Sequence, residues 1–303
     1  MLEGIHFLLT YQCTYECDHC FLYCSPKTTG TFTIKQVEEV LQEGKNLGSV
    51  EWIFFEGGEP LLYYPLLLEG VKKAKEMGYQ VGIVTNSYPM LSIEDAVLWL
   101  KPLAETGIDL LSISNDEFHS SNPDDSPAAV ACKAAEKLDI PYYAIAIENP
   151  EVQSVCETSG TKGQPITEGG PKYRGRAADK LTHGMLHRKP EELKKCPWEE
   201  LVEPERVHVD PLGHVHICQG ISMGNMWETP LSELVRHYKV DQHPICGPLH
   251  TGGPFELARV NDLNMDSGYV DECHFCFLAR RNLLNKYPRH LVPHQVYGVE
   301  EDL

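Results

Sequence analysis

The sequence predicts an α/β protein built on a parallel β-sheet and followed by a smaller C-terminal domain of β-hairpin and helix. Two observations carry that expectation. Up to about residue 148, short apolar runs alternate with longer amphipathic stretches, the rhythm of βαβ units. From Asn149 the rhythm breaks, and short β-type runs resume only after Cys196. The expected domains are residues 1–190, with 149–195 as an irregular connection, and residues 196–303.

Element by element, residues 5–11 read as the first strand. Residues 33–47 read as a helix, with Thr33 as N-cap and Val37, Val40 and Leu41 at helical spacing. Residues 51–55 form a second strand, 66–77 a helix closed by Gly78, and 79–85 a third strand. A helix over 93–105 ends before Gly107. A strand over 109–114, a helix over 127–138 and a strand over 142–147 complete the series. In the connection, Lys172, Arg174, Arg176 and Lys180 are basic. They read as a solvated face, with contact to a carboxylate or phosphate as the alternative. Runs over 206–210 and 214–218 flank Pro211-Leu212-Gly213, a hairpin signal.

Composition bounds the partners. With Lys+Arg 26 against Asp+Glu 44 in 303 residues, the net charge is −18, which disfavours nucleic acid and anionic lipid. No run approaches the roughly 18 apolar residues of a membrane span, and residues 1–7 lack a basic n-region. A cytoplasmic protein without membrane association is expected. The count of 11 cysteines is odd and comes without an export signal, so metal is favoured over disulfides.

Cys13, Cys17 and Cys20 follow the first strand directly in the spacing C-x3-C-x2-C. The C-terminal edge of a parallel sheet is where α/β folds place their sites. Thiolates are the ligands of iron–sulfur clusters, and three of them leave one iron of a 4Fe–4S cube open. Structural zinc, the alternative, takes four ligands. After the second strand comes Glu56-Gly57-Gly58-Glu59-Pro60, in which two glycines let backbone approach a ligand closely.

With these two motifs the sequence resembles the radical S-adenosylmethionine (SAM) superfamily. Thr85-Asn86 after the third strand and Ser112-Ile113-Ser114-Asn115-Asp116 after the fourth follow in the family's order. The resemblance covers residues 5–148 and implies a partial (β/α)6 TIM-like barrel. It implies a 4Fe–4S cluster held by Cys13, Cys17 and Cys20, with SAM chelating the open iron. Gly57, Gly58 and Glu59 match the segment that holds the methionine amino group of SAM. Asn86, Ser114 and Asp116 match positions that contact its carboxylate or ribose.

A second cysteine set comprises Cys196, Cys218 and the pair Cys273-His274-Phe275-Cys276. Spacing alone permits a closed zinc site. The pattern resembles the twitch or SPASM extension of some radical SAM enzymes, which implies one auxiliary 4Fe–4S cluster on Cys196, Cys218, Cys273 and Cys276. Cys246 competes with Cys196 as the fourth ligand. Of the remaining cysteines, Cys132 reads as a buried hydrophobe and Cys156 has no assigned role. Cys24 reads as an inert neighbour of the first loop, a replacement ligand or a hydrogen-atom donor, and Cys246 is the other candidate donor.

The resemblance implies an enzyme that reductively cleaves SAM to a 5′-deoxyadenosyl radical and abstracts hydrogen from a peptide or small-molecule substrate. The auxiliary cluster favours net oxidation. An external electron donor such as flavodoxin or ferredoxin is implied. A redox-neutral epimerase and a nucleic-acid-modifying enzyme are the alternatives within the superfamily, and a zinc-stapled binding protein lies outside it.

Overall fold

The computed structural model describes residues 1–151, 162–163 and 167–299. Cys156 lies outside them. The chain runs from β1 (Gly4–Leu8) through α1 (Ile34–Leu47), β2 (Trp52–Glu56), α2 (Tyr64–Glu76), β3 (Gln80–Thr85) and α3 (Ile93–Glu105). It continues through β4 (Leu110–Ser114), α4 (Pro127–Lys137), β5 (Tyr142–Ile147), β6 (Glu168–Gly169) and α5 (Arg176–Lys180). The C-terminal part holds β7 (Arg206–Val209), β8 (His214–Cys218), β9 (Ile221–Asn225), α6 (Leu231–His237), α7 (Cys246–Val260) and α8 (Glu272–Arg281).

Local chemistry sets the boundaries. Thr33 and Gln36 form a capping box that opens α1, and Gly48 closes it in the left-handed conformation. Ser92 caps α3 through the Asp95 N–H, and Ser126 caps α4 through that of Ala129. Val37, Val40 and Leu41 on α1 and Leu67, Val71 and Ala74 on α2 are buried. They belong to the core that β1–β4 and α1–α4 share.

The strands lie in the order β6-β5-β4-β3-β2-β1-β7-β8-β9. Every pair from β6 to β7 is parallel, while β8 and β9 add antiparallel. The hairpin expected in a separate unit therefore extends the barrel sheet: Gly4 pairs with Arg206 and Phe7 with Val209. Side chains of β5 (Tyr143, Ile145, Ile147) and of β7 (His208) line the same cavity. Strands so far apart in the order meet only because the sheet curls into a partial barrel.

A second core lies under the cysteine-bearing loop and is built largely from α7, α8 and the residues after Leu283. The connection is also more ordered than expected. It includes β6 and α5, and Arg174 and Arg176 are buried. The solvated-face reading of these two is corrected. Their guanidiniums find buried partners, Glu199 and the carbonyls of the cysteine loop, that no local pattern reveals.

Candidate functional site

The loops after β1 and β2 are zipped together by backbone. Leu9 N–H donates to Glu56 O at 2.7 Å, Gly58 N–H to Thr10 O at 2.7 Å and Glu59 N–H to Gln12 O at 2.9 Å. This approach explains the paired glycines. Gly57 has φ +134, and a Cβ on Gly58 would stand 2.0 Å from Gln12 O. The zip holds the strand that leads into Cys13 against the β2 edge.

Glu59 is fully buried. Its carboxylate accepts from Leu61 N–H (2.9 Å), Thr85 Oγ1 (2.8 Å) and Asn86 N–H (2.8 Å). Burial pushes this carboxyl up to about 7, although its hydrogen bonds oppose the shift. Glu59 thus clips the β2 edge to the β3 edge. Asn86, so held, donates from Nδ2 to Cys13 Sγ at 3.5 Å and Thr14 Oγ1 at 3.2 Å. Asp116 is likewise engaged locally. It faces His119 Nδ1 at 2.7 Å and accepts from Phe118 N–H and Ile147 N–H.

A cavity of about 240 Å³ opens inside the barrel below these loops. Cys13, Cys17, Cys20, Gly57, Gly58, Asn86 and Ser114 line it, whereas Glu59 and Asp116 do not. Cys24 also lines it and hydrogen-bonds to the Cys20 thiol. Burial pushes the Cys13 thiol up to about 11, and burial with the neighbouring Cys20 and Cys13 pushes Cys17 higher. Crowded, buried thiols of this kind gain from a cationic centre that takes them as thiolates. The donor set therefore fits a 4Fe–4S cluster with three protein ligands.

Polar residues deeper in the barrel escaped the sequence reading. His6 on β1, Glu56 on β2 and His208 on β7 line the same cavity. Glu56 Oε1 lies 3.4 Å from His6 Nδ1 and 3.0 Å from His208 Nε2. Burial alone would raise the Glu56 carboxyl, but the two histidines outweigh it and hold Glu56 below the ordinary carboxylate range. Burial lowers His208 to about 4. The available signal was polarity on inward-facing positions of otherwise apolar strands. Beside the cysteine loop, Tyr11 OH donates to Asp210, which also faces His214 and His216. That buried carboxylate ties the loop to the hairpin.

The second cysteine set also converges. Cys196, Cys218, Cys273 and Cys276 line one small cavity together with Arg174 and Arg280. Arg174 Nη1 donates to Cys218 Sγ at 2.8 Å. Burial pushes Cys196 up to about 12, with the neighbouring Cys218 and Cys276 adding to the shift. Two buried guanidiniums beside four thiols suit a negatively charged tetrathiolate centre. Cys246 is buried nearby at the start of α7, outside the cavity lining, and its thiol pairs with Tyr238. Cys196, and not Cys246, shares the cavity lining with Cys218, Cys273 and Cys276. Cys132 is half-buried on α4.

Among the described residues, no helix is long and apolar enough to cross a membrane. Residues 7–148 match the Radical SAM superfamily. A putative peptide biosynthesis protein, YydG of Bacillus subtilis (strain 168), is 28% identical over 112 residues, 37% of this chain and 35% of that one. An S-adenosylmethionine-dependent nucleotide dehydratase of Selenomonas ruminantium is 28% identical over 138 residues, 46% of this chain and 47% of that one. These matches thus span a third to a half of the relatives' own lengths. The crystal structure of BtrN in complex with AdoMet and 2-DOIA superposes with a TM-score of 0.52 at 18% identity. It covers 78% of this chain and 83% of that one, a likeness of fold. Motifs, barrel and family match agree over residues 7–148, and that stretch is similar to the radical SAM superfamily, a family that implies a 4Fe–4S cluster and SAM.

Proposed function

We propose that the protein is a radical SAM enzyme that removes hydrogen from a peptide or small-molecule substrate bound inside the barrel. The observation that carries this reading is the single cavity shared by Cys13, Cys17, Cys20, the Gly57-Gly58 backbone and the buried His6–Glu56–His208 group. Cys13, Cys17 and Cys20 hold the cluster. SAM bound beside it supplies, on one-electron reduction, a carbon radical able to take hydrogen from an unactivated C–H bond. Gly57 and Gly58 let backbone approach the methionine moiety, with Asn86 and Ser114 beside it, while Glu59 and Asp116 fix these loops from behind. The barrel excludes water from the reacting carbon.

Cys196, Cys218, Cys273 and Cys276 hold an auxiliary 4Fe–4S cluster in residues 196–303. With all four positions closed by protein, it would pass electrons rather than bind substrate. It would take the electron left on the substrate, giving a net oxidation, while an external flavodoxin- or ferredoxin-type carrier supplies the electron that cleaves SAM and accepts the one returned by the substrate. The relatives named for peptide biosynthesis and for a nucleotide reaction support both substrate classes. The test is reductive cleavage of SAM to 5′-deoxyadenosine by anaerobically purified protein. Cleavage is expected in the wild type and absent in Cys17→Ala; cleavage that persists in the variant overturns the assignment. In heavy water, a product that gains one deuterium at carbon would point to redox-neutral turnover instead.

A further inference from the structure

The cavity wall facing the second cysteine set carries concentrated positive charge. Lys172, Arg174 and Arg206 all line it and converge on one carboxylate, Glu199. Arg174 Nη1 lies 3.1 Å, Arg206 Nη2 3.6 Å and Lys172 Nζ 3.7 Å from its oxygens. The four side chains are only 6–14% exposed. One carboxylate against three cations leaves an excess of positive charge away from bulk water, which a protein rarely maintains without a counter-charge. Glu199 itself lines the small cavity of the second cysteine set rather than this one, and the carboxylate that does line this wall, Glu56, is already engaged by His6 and His208.

Part of the excess serves the second cysteine set, because Arg174 donates to Cys218 Sγ. Arg206 does not. Its Nη2 reaches toward Glu199, but its Nε and Nη1 are sealed from solvent without a hydrogen-bond partner among the described residues. The same holds for Nε of Arg174 on the same wall. Buried guanidinium donors without acceptors are unfavourable. Several of them on one cavity wall mark a place where a ligand completes the bonding.

We propose that this wall seats an anionic group of the substrate, a carboxylate or a phosphate, with Arg206 as its main ligand and Lys172 beside it. The inference rests on the reading of the cavity as the substrate chamber. It narrows the substrate class to molecules that carry a fixed negative charge at the end remote from the hydrogen to be abstracted. Arginine suits both anions, since its planar fork matches their oxygens.

The test uses the full chain with its clusters, purified anaerobically and saturated with SAM so that the methionine carboxylate cannot compete. Inorganic pyrophosphate and succinate are titrated calorimetrically at constant ionic strength. At least one probe binds, and Arg206→Gln weakens that binding tenfold or more, with Arg206→Lys affected less. Preference for pyrophosphate assigns a phosphate and preference for succinate a carboxylate. Glu199 keeps two cationic partners in Arg206→Gln, so its unfolding midpoint and iron content stay near wild type. Should it misfold, Lys172→Met makes the same comparison. Binding of neither probe by the wild type, or binding unchanged in the variants, overturns the proposal. Failure of the wild type to cleave SAM overturns the function instead, and the heats of anion binding remain readable in that case.

Discussion

Replacing Gly58 by alanine tests the closure of the site directly. The added Cβ would stand 2.0 Å from Gln12 O and 2.6 Å from Gln12 C, against an ordinary contact of roughly 3.5 Å. Backbone must therefore move by more than 1 Å on one side or the other. That movement breaks the bonds from Gly58 N–H to Thr10 O and from Glu59 N–H to Gln12 O. Two buried hydrogen bonds at about 1 kcal/mol each, plus overpacking at about 1–3 kcal/mol, give a loss of about 3–5 kcal/mol. In a chain of this size the unfolding midpoint falls by roughly 5–8 °C. The displaced segment carries Cys13, so iron bound by the first loop and SAM affinity fall with stability, the latter at least tenfold. Gly48→Ala is the control, since its added Cβ meets nothing within 4 Å, and its only strain is a positive φ, +78, that Gly58 does not share. Its cost is about 1 kcal/mol with SAM binding intact. Calorimetric unfolding, iron analysis and a SAM binding isotherm on both variants decide the matter. A Gly58→Ala protein indistinguishable from the Gly48→Ala control would refute the steric argument.

Three further outcomes are expected. Glu59→Gln can keep the bonds from Leu61 and Thr85, but it turns an amide toward the Asn86 N–H and costs about 1–3 kcal/mol. Because the Glu59 carboxyl is raised to about 7 from 4.5, its contribution is full below pH 4.5 and is lost as pH rises through 7. The stability gap between wild type and Glu59→Gln should therefore narrow between about pH 5 and pH 8, and a widening gap in denaturant titrations would contradict the shift. Glu199 behaves oppositely. Burial would raise it, but Lys172, Arg174 and Arg206 outweigh burial and lower it to about 2 from 4.5. The stability it provides, about 3 kcal/mol, is present above pH 4.5 and lost as pH falls toward 2. Glu199→Gln should flatten that acid limb, and an unchanged limb would show that the triad contributes little. Lastly, Cys273→Ala should lose about four irons per chain while SAM cleavage continues and substrate conversion fails. Retained iron in that variant would remove Cys273 from the ligand set.

The first 148 residues were readable because their signals are local. The capping box at Thr33, the helix Ile93–Glu105 and the strand Tyr142–Ile147 follow from patterns a few residues long. The cysteine and glycine motifs were readable for the same reason. What escaped depends on distant partners. Arg174 and Arg176 look like solvated charges until Glu199 and the carbonyls of Cys17 and Cys24 are placed beside them. His6 and His208 sit on strands far apart in sequence, and only their pairing across β1 and β7 brings them to Glu56. The helix α7 was hidden because Gly252 and Gly253 kink it and Pro254 follows within it. The carboxylates of Glu59 and Asp116 were expected at the SAM contacts, whereas Glu59 spans two sheet edges and Asp116 is held by His119 and the backbone of Phe118 and Ile147.

Arg176 sets a limit on how far the barrel segment can be separated from the rest. Its Nη1 donates to Cys17 O and its Nη2 to Cys24 O, both at 2.8 Å, while its own N–H donates to Cys20 O. One residue thus staples three carbonyls of the cysteine loop from more than 150 positions away. A fragment ending at residue 148 would contain every thiol of the first site, yet the loop that presents them would have lost its fastener. The same cut removes β7 and leaves β1 as a bare sheet edge. The stretch that matches the family by sequence is therefore not a physically self-sufficient unit in this chain, and a minimal version of the first site would have to carry its C-terminal half as scaffolding.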